Sequence, residues 1–254
     1  MNGKGKSKFA LIVLGVIAIV VALNMRKEQT VPILSNAVYQ RQLPIYCVEK
    51  DAPVVALTFD AAWGNEDTRR ILDILEQEDV KVTFFMTGGW VEKYPEDVKL
   101  IYEAGHELGN HSQSHYDMTT ISTSQMQQEI LQVHESVLEL TGYEMKVFRC
   151  PYGAYNDSVI LTAQQCGYRA IQWDVDSLDW KDYGRDSIIT TVCQHKNLGN
   201  GSIILCHNGS KYTADALEEL IQNLKAQGYT FVTVSELIDP DSHNIDVNGR
   251  QHKE

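Results

Sequence analysis

Side chains suited to proton transfer and metal binding recur in this sequence at the ends of apolar runs. Asp60 closes the run Val54 to Phe59, and His111 and His115 bracket Ser112-Gln113-Ser114 just after His106 to Gly109. Arg149 follows Val147-Phe148, the stretch Asp174 to Asp179 follows Tyr168 to Trp173, and His207 follows Ile203 to Cys206. A carboxylate that ends an apolar strand is partly buried and needs a partner. The Arg149 guanidinium can supply one through charge-assisted hydrogen bonds, either as a structural ion pair or to hold Asp60 ready as a base. Two imidazoles four residues apart, separated by small or polar residues, can converge on one divalent cation; otherwise they are surface histidines. Zinc is the default metal for imidazole, with cobalt or nickel also fitting the donor set. His207 is a candidate proton shuttle near neutral pH, and Asp179 can fix its tautomer and favour the protonated form; the bland reading is a histidine satisfied within the core. Trp180 offers a wall for an acetyl methyl or a sugar ring, or plain core packing.

These residues must be positioned by regular elements. Val54 to Asp60 and Lys81 to Thr87 read as strands buried on both faces. Glu66 to Glu78 has helical spacing, and Tyr94 to Ala104 forms a second helix closed by Gly105. His106 to Gly109 is a short strand, and Ser122 to Leu140 a long amphipathic helix capped by Ser and Thr and ended by Gly142. Lys146 to Cys150, Tyr168 to Val175, Ser202 to His207 and Tyr229 to Val234 complete a set of about seven strands. The helices between them cover Asn156 to Cys166, Asp186 to Lys196 and Thr213 to Gln227. Such alternation predicts a parallel sheet covered by helices, and a single distorted (β/α) barrel is the simplest arrangement at this size. In that architecture the polar residues above fall at the C-terminal strand ends, where such folds place function.

The chain of 254 residues can bury one large core. Its net charge of −12 excludes DNA or RNA as the main partner and suits a monomeric catalytic domain kept apart by like charge. Lys4, Lys6 and Lys8 precede the apolar run Phe9 to Leu23, and Arg26 and Lys27 follow it. A positive end before an apolar segment is an export signal. The run is shorter than the ~20 residues of a typical spanning helix, but lysine side chains extend its reach. With no A-x-A site after it, it reads as an uncleaved signal-anchor. That predicts a single-pass protein of the cell membrane with its domain outside the cytoplasm, or a secreted one if the signal is cleaved. The expected division is a basic cytoplasmic end (1–8), an anchor helix (9–23), a stalk and lead-in (24–51), a catalytic-type domain (52–238) and a disordered polar tail (239–254). The five cysteines have no zinc-finger spacing, and their pairing cannot be read from sequence.

From roughly Ala52 to Ile238 the chain resembles the polysaccharide deacetylases of carbohydrate esterase family 4, the nodulation-protein-B homology domain. Thr58-Phe59-Asp60 resembles the first family motif, whose leading Asp is the catalytic base, and His111-Ser112-Gln113-Ser114-His115 resembles the H-S-x-x-H metal motif. Arg149-Cys150-Pro151-Tyr152-Gly153 is similar to R-P-P-Y-G with Cys150 in place of the first proline; in the family the Arg orients the base and the Tyr backbone N–H helps bind the oxyanion. Asp179-Trp180 resembles the D-W motif and Leu205-Cys206-His207 the L-x-H motif that carries the general acid. The resemblance implies metal-assisted deacetylation of N-acetylglucosamine-type residues in a cell-wall glycan such as peptidoglycan. The catalytic set is Asp60, His207, Arg149 and Asp179, and Tyr152, Trp180 and Leu205 bind substrate or oxyanion. One divalent metal, zinc by default, sits on His111 and His115. The family's first motif is usually T-F-D-D, with the second Asp as third metal ligand, and here that position is Ala61. The loop Ala62-Trp63-Gly64-Asn65-Glu66-Asp67 resembles the sporulation-associated branch. Glu66, or failing it Asp67, is the candidate substitute ligand; capping the next helix is the other role open to Glu66, and a two-histidine site completed by waters is the other possibility. The alternative to an enzyme is a catalytically degenerate family member that binds glycan. A third reading is an enzyme for another amide, such as a small cyclic ureide.

Overall fold

The computed structural model describes residues 41–253. The anchor helix expected over 9–23 and most of the stalk expected over 24–51 lie outside the described residues. Among the described residues, no helix is long and apolar enough to cross a membrane.

After a short strand β1 (Cys47–Val48), the chain enters β2 (Val54–Ala61), the central strand of the sheet. Successive β2 side chains point to opposite faces. Val55, Leu57, Phe59 and Ala61 join the large apolar layer shared with the helices, whereas Ala56 joins Phe85, Val147, Ile171 and Ile203 in a smaller cluster. The same alternation sends Thr58 and Asp60 to the side of Ala56. With apolar material on both faces, the strand reads as an unbroken apolar run.

The chain continues through α1 (Thr68–Gln77), β3 (Thr83–Met86), α2 (Gly88–Lys93), α3 (Pro95–Glu103), β4 (Glu107–Asn110) and α4 (Thr123–Thr141). There follow β5 (Val147–Phe148), α5 (Asp157–Gln165), β6 (Arg169–Ala170), β7 (Val175–Asp176), α6 (Arg185–Cys193), β8 (Ile203–His207), α7 (Thr213–Ala226), β9 (Thr230–Phe231), a helical turn α8 (Val234–Leu237) and β10 (Arg250–Gln251). The ends of α4 match their sequence signals: Ser122 and Gln125 form a capping box, and Gly142 closes the helix at φ 73°. The short helix α2 was not legible in advance, because Gly88-Gly89 disguises a start capped by Thr87, whose Oγ1 accepts from Trp90 N at 3.2 Å.

The strands order as β6-β5-β4-β3-β2-β8-β7, every ladder parallel, with β9 beside the foot of β2. The result is a curled half-barrel, a distorted (β/α) barrel. It parts within the stretch expected to be one strand, Tyr168 to Val175. That stretch is split into β6 at one edge of the sheet and β7 at the other. In the gap Ile45 donates to Ala170 O at 2.9 Å and Gln172 N donates to Ile45 O at 2.7 Å. Asp174 is tied to the foot of β8, not to the mouth: its carboxylate accepts from Ile203 N at 2.9 Å and Ser202 Oγ at 3.0 Å. Of the polar stretch Asp174 to Asp179, only the later residues reach the mouth. The register sets Asp60 opposite His207, and Asn110, which immediately precedes His111, opposite Phe148, which precedes Arg149. One rim of the sheet therefore carries Asp60, His111, Arg149 and His207.

The C-terminal segment is ordered, contrary to the disordered tail expected from its polarity. β10 pairs in parallel with β1, and Gln251 is fully buried. The Gln251 amide donates to Asp239 O at 2.7 Å and Ser242 O at 3.1 Å and accepts from Asp239 N at 2.8 Å. This order comes from side chain to backbone hydrogen bonds, which leave no trace in hydropathy. All five cysteines are free thiols. Gln251→Ala strands these buried backbone groups and is expected to cost roughly 2–4 kcal/mol in urea denaturation; a loss below about 0.5 kcal/mol would contradict this role for the tail.

Candidate active site

Asp60 is buried at the mouth end of β2, and its Oδ1 accepts from Arg149 Nη1 at 2.7 Å. The same nitrogen donates to Thr58 Oγ1 at 2.9 Å, and Nη2 donates to Gln172 O at 3.1 Å. The guanidinium is fully buried and lies over the Phe85 ring, 4.0 Å from its centroid. Burial alone would raise the Asp60 pKa, but Arg149, then His111 and His207, outweigh it and hold the carboxyl below its ordinary value. Asp60 is thus an anion with Oδ1 engaged and Oδ2 turned toward His111 Nε2, 3.5 Å away.

The two histidines sit on a tight loop built by short polar side chains. Asn110 Oδ1 accepts from Ser112 N at 2.9 Å, and Ser112 Oγ accepts from His115 N at 3.1 Å. Ser112 and His115 both adopt left-handed backbone conformations, at φ 67° and 56°. Non-glycine residues there cost free energy that the surrounding bonds must cover, a pattern common at functional sites. The loop brings the two Nε2 atoms within 3.2 Å of each other. His111 Nδ1 lies 2.8 Å from Arg149 O. A carbonyl only accepts, so the proton is on Nδ1 and Nε2 is the unprotonated nitrogen. Burial lowers the pKa of both rings, that of His115 to about 4, so both are neutral at pH 7.

Across the mouth, His207 Nδ1 donates to Asp179 Oδ1 at 2.7 Å, while Asp179 Oδ2 accepts from His207 N and Thr213 Oγ1, each at 2.7 Å. Burial would lower the His207 pKa, but the Asp179 hydrogen bond and charge, with Asp60 and Asp176 adding to them, raise it above the ordinary histidine value. With Nδ1 engaged, Nε2 is the nitrogen left to donate. Asp60, His111, His115 and His207 line one cavity of about 400 Å³ together with Tyr152, Gly153, Trp173, Asp176, Trp180, Leu205 and Trp63. Tyr152 is held left-handed at φ 60°, its ring 4.5 Å from that of His115. Arg149 and Asp179 do not line the cavity; they act from behind it. Trp63 was missed as a site residue. Its loop position and lack of periodicity gave it no signal beyond the loop's resemblance to one branch.

Residues 48–171 match the family model for polysaccharide deacetylase. The chain is 33% identical over 211 residues to the peptidoglycan-N-acetylmuramic acid deacetylase PdaA of Bacillus subtilis, covering 80% of this chain and 78% of PdaA. The chain belongs to the polysaccharide deacetylase family. It is also 37% identical over 210 residues to the peptidoglycan-N-acetylglucosamine deacetylase PgdA of Listeria monocytogenes, covering 80% of this chain but only 44% of PgdA. Among solved structures it is similar to a CE4 family pseudoenzyme from Bacillus anthracis, at 34% identity and TM-score 0.74, covering 83% of this chain and 73% of that one. A mutant of that pseudoenzyme has restored enzymatic activity.

Family membership makes the donor set around the two histidines a question of fit. Their neutral rings, converging Nε2 atoms and fixed His111 tautomer suit two positions of a divalent metal. The third family ligand is absent. Ala61 is fully buried in the helix-side layer, and Glu66 is exposed, with a carboxylate oxygen folded back against Gly64. Asp67 accepts from Gly209 N at 2.9 Å. Neither Glu66 nor Asp67 lines the cavity with the two histidines, and Asp67, at the N-cap of α1, makes no side-chain capping bond. Among the described residues no group of three or more His, Cys, Asp or Glu side chains is spaced to hold a metal. What fits is a site to which the chain would contribute two imidazoles.

The raised His207 pKa carries a consequence for stability. The folded value lies above the unfolded value near 6.5, so pairing with Asp179 adds stability that is complete below the unfolded value and fades as pH rises through the folded one. In urea denaturation, Asp179→Asn is expected to destabilise the protein most near pH 6, with the gap to wild type narrowing toward pH 9. A gap that stays constant or widens would contradict the pairing.

Proposed function

We propose that this protein removes the N-acetyl group from N-acetylglucosamine-type residues of a cell-wall glycan, by metal-assisted amide hydrolysis. In this reading, residues 52–238 are the deacetylase domain. The segment over 9–23 anchors it outside the cytoplasm, and the loop from Ala62 to Asp67 allies it with sporulation-associated members. One observation carries the proposal: a carboxyl whose pKa is held down and an imidazole whose pKa is held up face the same cavity from opposed sides, each locked by its own buried partner. Binding alone requires neither.

A divalent metal at His111 and His115, zinc by preference, would supply Lewis acidity toward the acetamide carbonyl and the attacking water. Asp60, ionised beside Arg149, takes a proton from that water as its oxygen adds to the acetyl carbon. The Tyr152 backbone N–H is the family's oxyanion donor and serves that role here. His207 then gives its Nε2 proton to the amine nitrogen as the C–N bond breaks, leaving acetate and a free amino sugar. Trp180 and Leu205 form the apolar wall against which the acetyl methyl rests.

A second reading, a family member that binds glycan without hydrolysing it, draws support from Ala61 and from the likeness to a pseudoenzyme. Acetate release by the full chain with added zinc, on N-acetylglucosamine oligomers and on peptidoglycan, separates the two. Acetate release is expected, with Asp60→Asn and His207→Gln each lowering it by about 10²-fold or more. Glycan retention without acetate on either substrate would favour the binder.

A further inference from the structure

The loop from Ala62 to Asp67 leaves Trp63 with no part in the proton transfers above, yet the fold holds this residue closely. Its indole stacks on the His207 imidazole, with ring centroids 5.4 Å apart and planes inclined by 19°. Trp63 lines the cavity while remaining 46% exposed. Two loops fix the arrangement. Gly64 O accepts from Trp90 Nε1 at 3.0 Å and from Asn208 Nδ2 at 2.9 Å, so the residue after Trp63 is clamped to the residue after His207. Thr68 Oγ1 donates to Asn208 Oδ1 at 3.0 Å, and Asp67 Oδ1 accepts from Gly209 N at 2.9 Å, which pins the far end of the loop. Gly209 has φ +86°, and a Cβ there would lie 3.1 Å from Trp63 Cδ1 and 3.2 Å from Gly64 N, so a glycine is what lets the loops close.

We propose that Trp63 is a positioning residue for the proton donor: its π face holds the His207 ring in plane and favours the imidazolium, so that Nε2 points steadily at the departing amine. Asp179 fixes one edge of the ring; Trp63 fixes its face. The charged and titratable groups around His207 are Asp179, Asp60 and Asp176, which favour its protonation, and His111 and His115 across the cavity. None of these stacks on the ring. Cation–π attraction is the part that Trp63 alone supplies. This role rests on the proposed deacetylase reading, but the stack itself can be tested without turnover.

The test is an NMR pH titration of the histidine rings in the full chain, with His207 assigned through His207→Gln. Trp63→Ala is expected to lower the His207 pKa by about half a unit, Trp63→Phe to restore most of it, and Trp180→Ala to leave it in place. Intrinsic fluorescence gives a second readout: protonation of His207 should quench emission in wild type, and the step should vanish in Trp63→Phe and persist in Trp180→Phe. A His207 pKa unmoved by Trp63→Ala, or a quenching step that survives Trp63→Phe, overturns the proposal. If acetate is released, Trp63→Ala should lower kcat by about tenfold with little change in KM; a rise in KM alone would assign Trp63 to substrate binding and overturn the positioning role. If wild type releases no acetate, the deacetylase reading fails while the titration still decides the stack.

Discussion

The contact between Asp60 and Arg149 is the constraint on which the rest of the site depends. A guanidinium that is fully buried would be prohibitive alone, and a carboxylate at the end of an apolar strand nearly so. Together, with Thr58 Oγ1, Gln172 O and the Phe85 ring completing the cage, they are tolerated, while losing either partner would leave an uncompensated charge worth roughly 3–5 kcal/mol. The pair also joins β2 to β5 from within the sheet. The Arg149 backbone takes part too: its carbonyl sets the tautomer of His111, and its N–H bonds to Asn110 O. One residue thus orients Asp60, the proposed base, bonds to the histidine loop and links separate strands of the half-barrel.

Against that fixed frame the chemistry is divided by sign. On one side Arg149 favours the ionised carboxylate; on the other Asp179 favours the protonated imidazole. Their charges attract, and the register of β2 against β8 sets the residues directly opposite each other, so each reinforces the state of the other. The metal side is less complete. His111 and His115 converge, but Ala61 has gone over to the apolar layer under the helices, and in the following loop Asp67 Oδ1 is engaged by Gly209 N. That loop is spent instead on carrying Trp63 to His207.

Much of this was legible in the sequence. Buried parallel strands write themselves as apolar runs, and the polar residue that ends each run announces the mouth; Asp60, His111, Arg149 and His207 are where that logic puts them. Other features were not legible, each for a physical reason. Asp174 belongs to the foot of β8 because the stretch from Tyr168 is broken between two sheet edges, and an edge crossing has no periodicity. The tail is ordered by the amide of Gln251 and by backbone pairing with β1, neither of which registers as hydrophobicity. Glu66 was a plausible ligand by position, but a loop's side-chain directions follow from long-range bonds, here those of Trp90 and Asn208 to Gly64, that a linear reading cannot supply.

With Asp60 as base and His207 as acid of one hydrolytic reaction, both titrations must shape its pH profile. The pH dependence of kcat/KM for acetate release tests this most directly, since its two limbs report the essential base and acid of the free enzyme. The account predicts a bell whose lower limb falls below the ordinary carboxylate value and whose upper limb lies above the ordinary histidine value near 6.5, the upper limb moving down in Asp179→Asn. An active protein whose upper limb is absent, or is unmoved by that substitution, would contradict it.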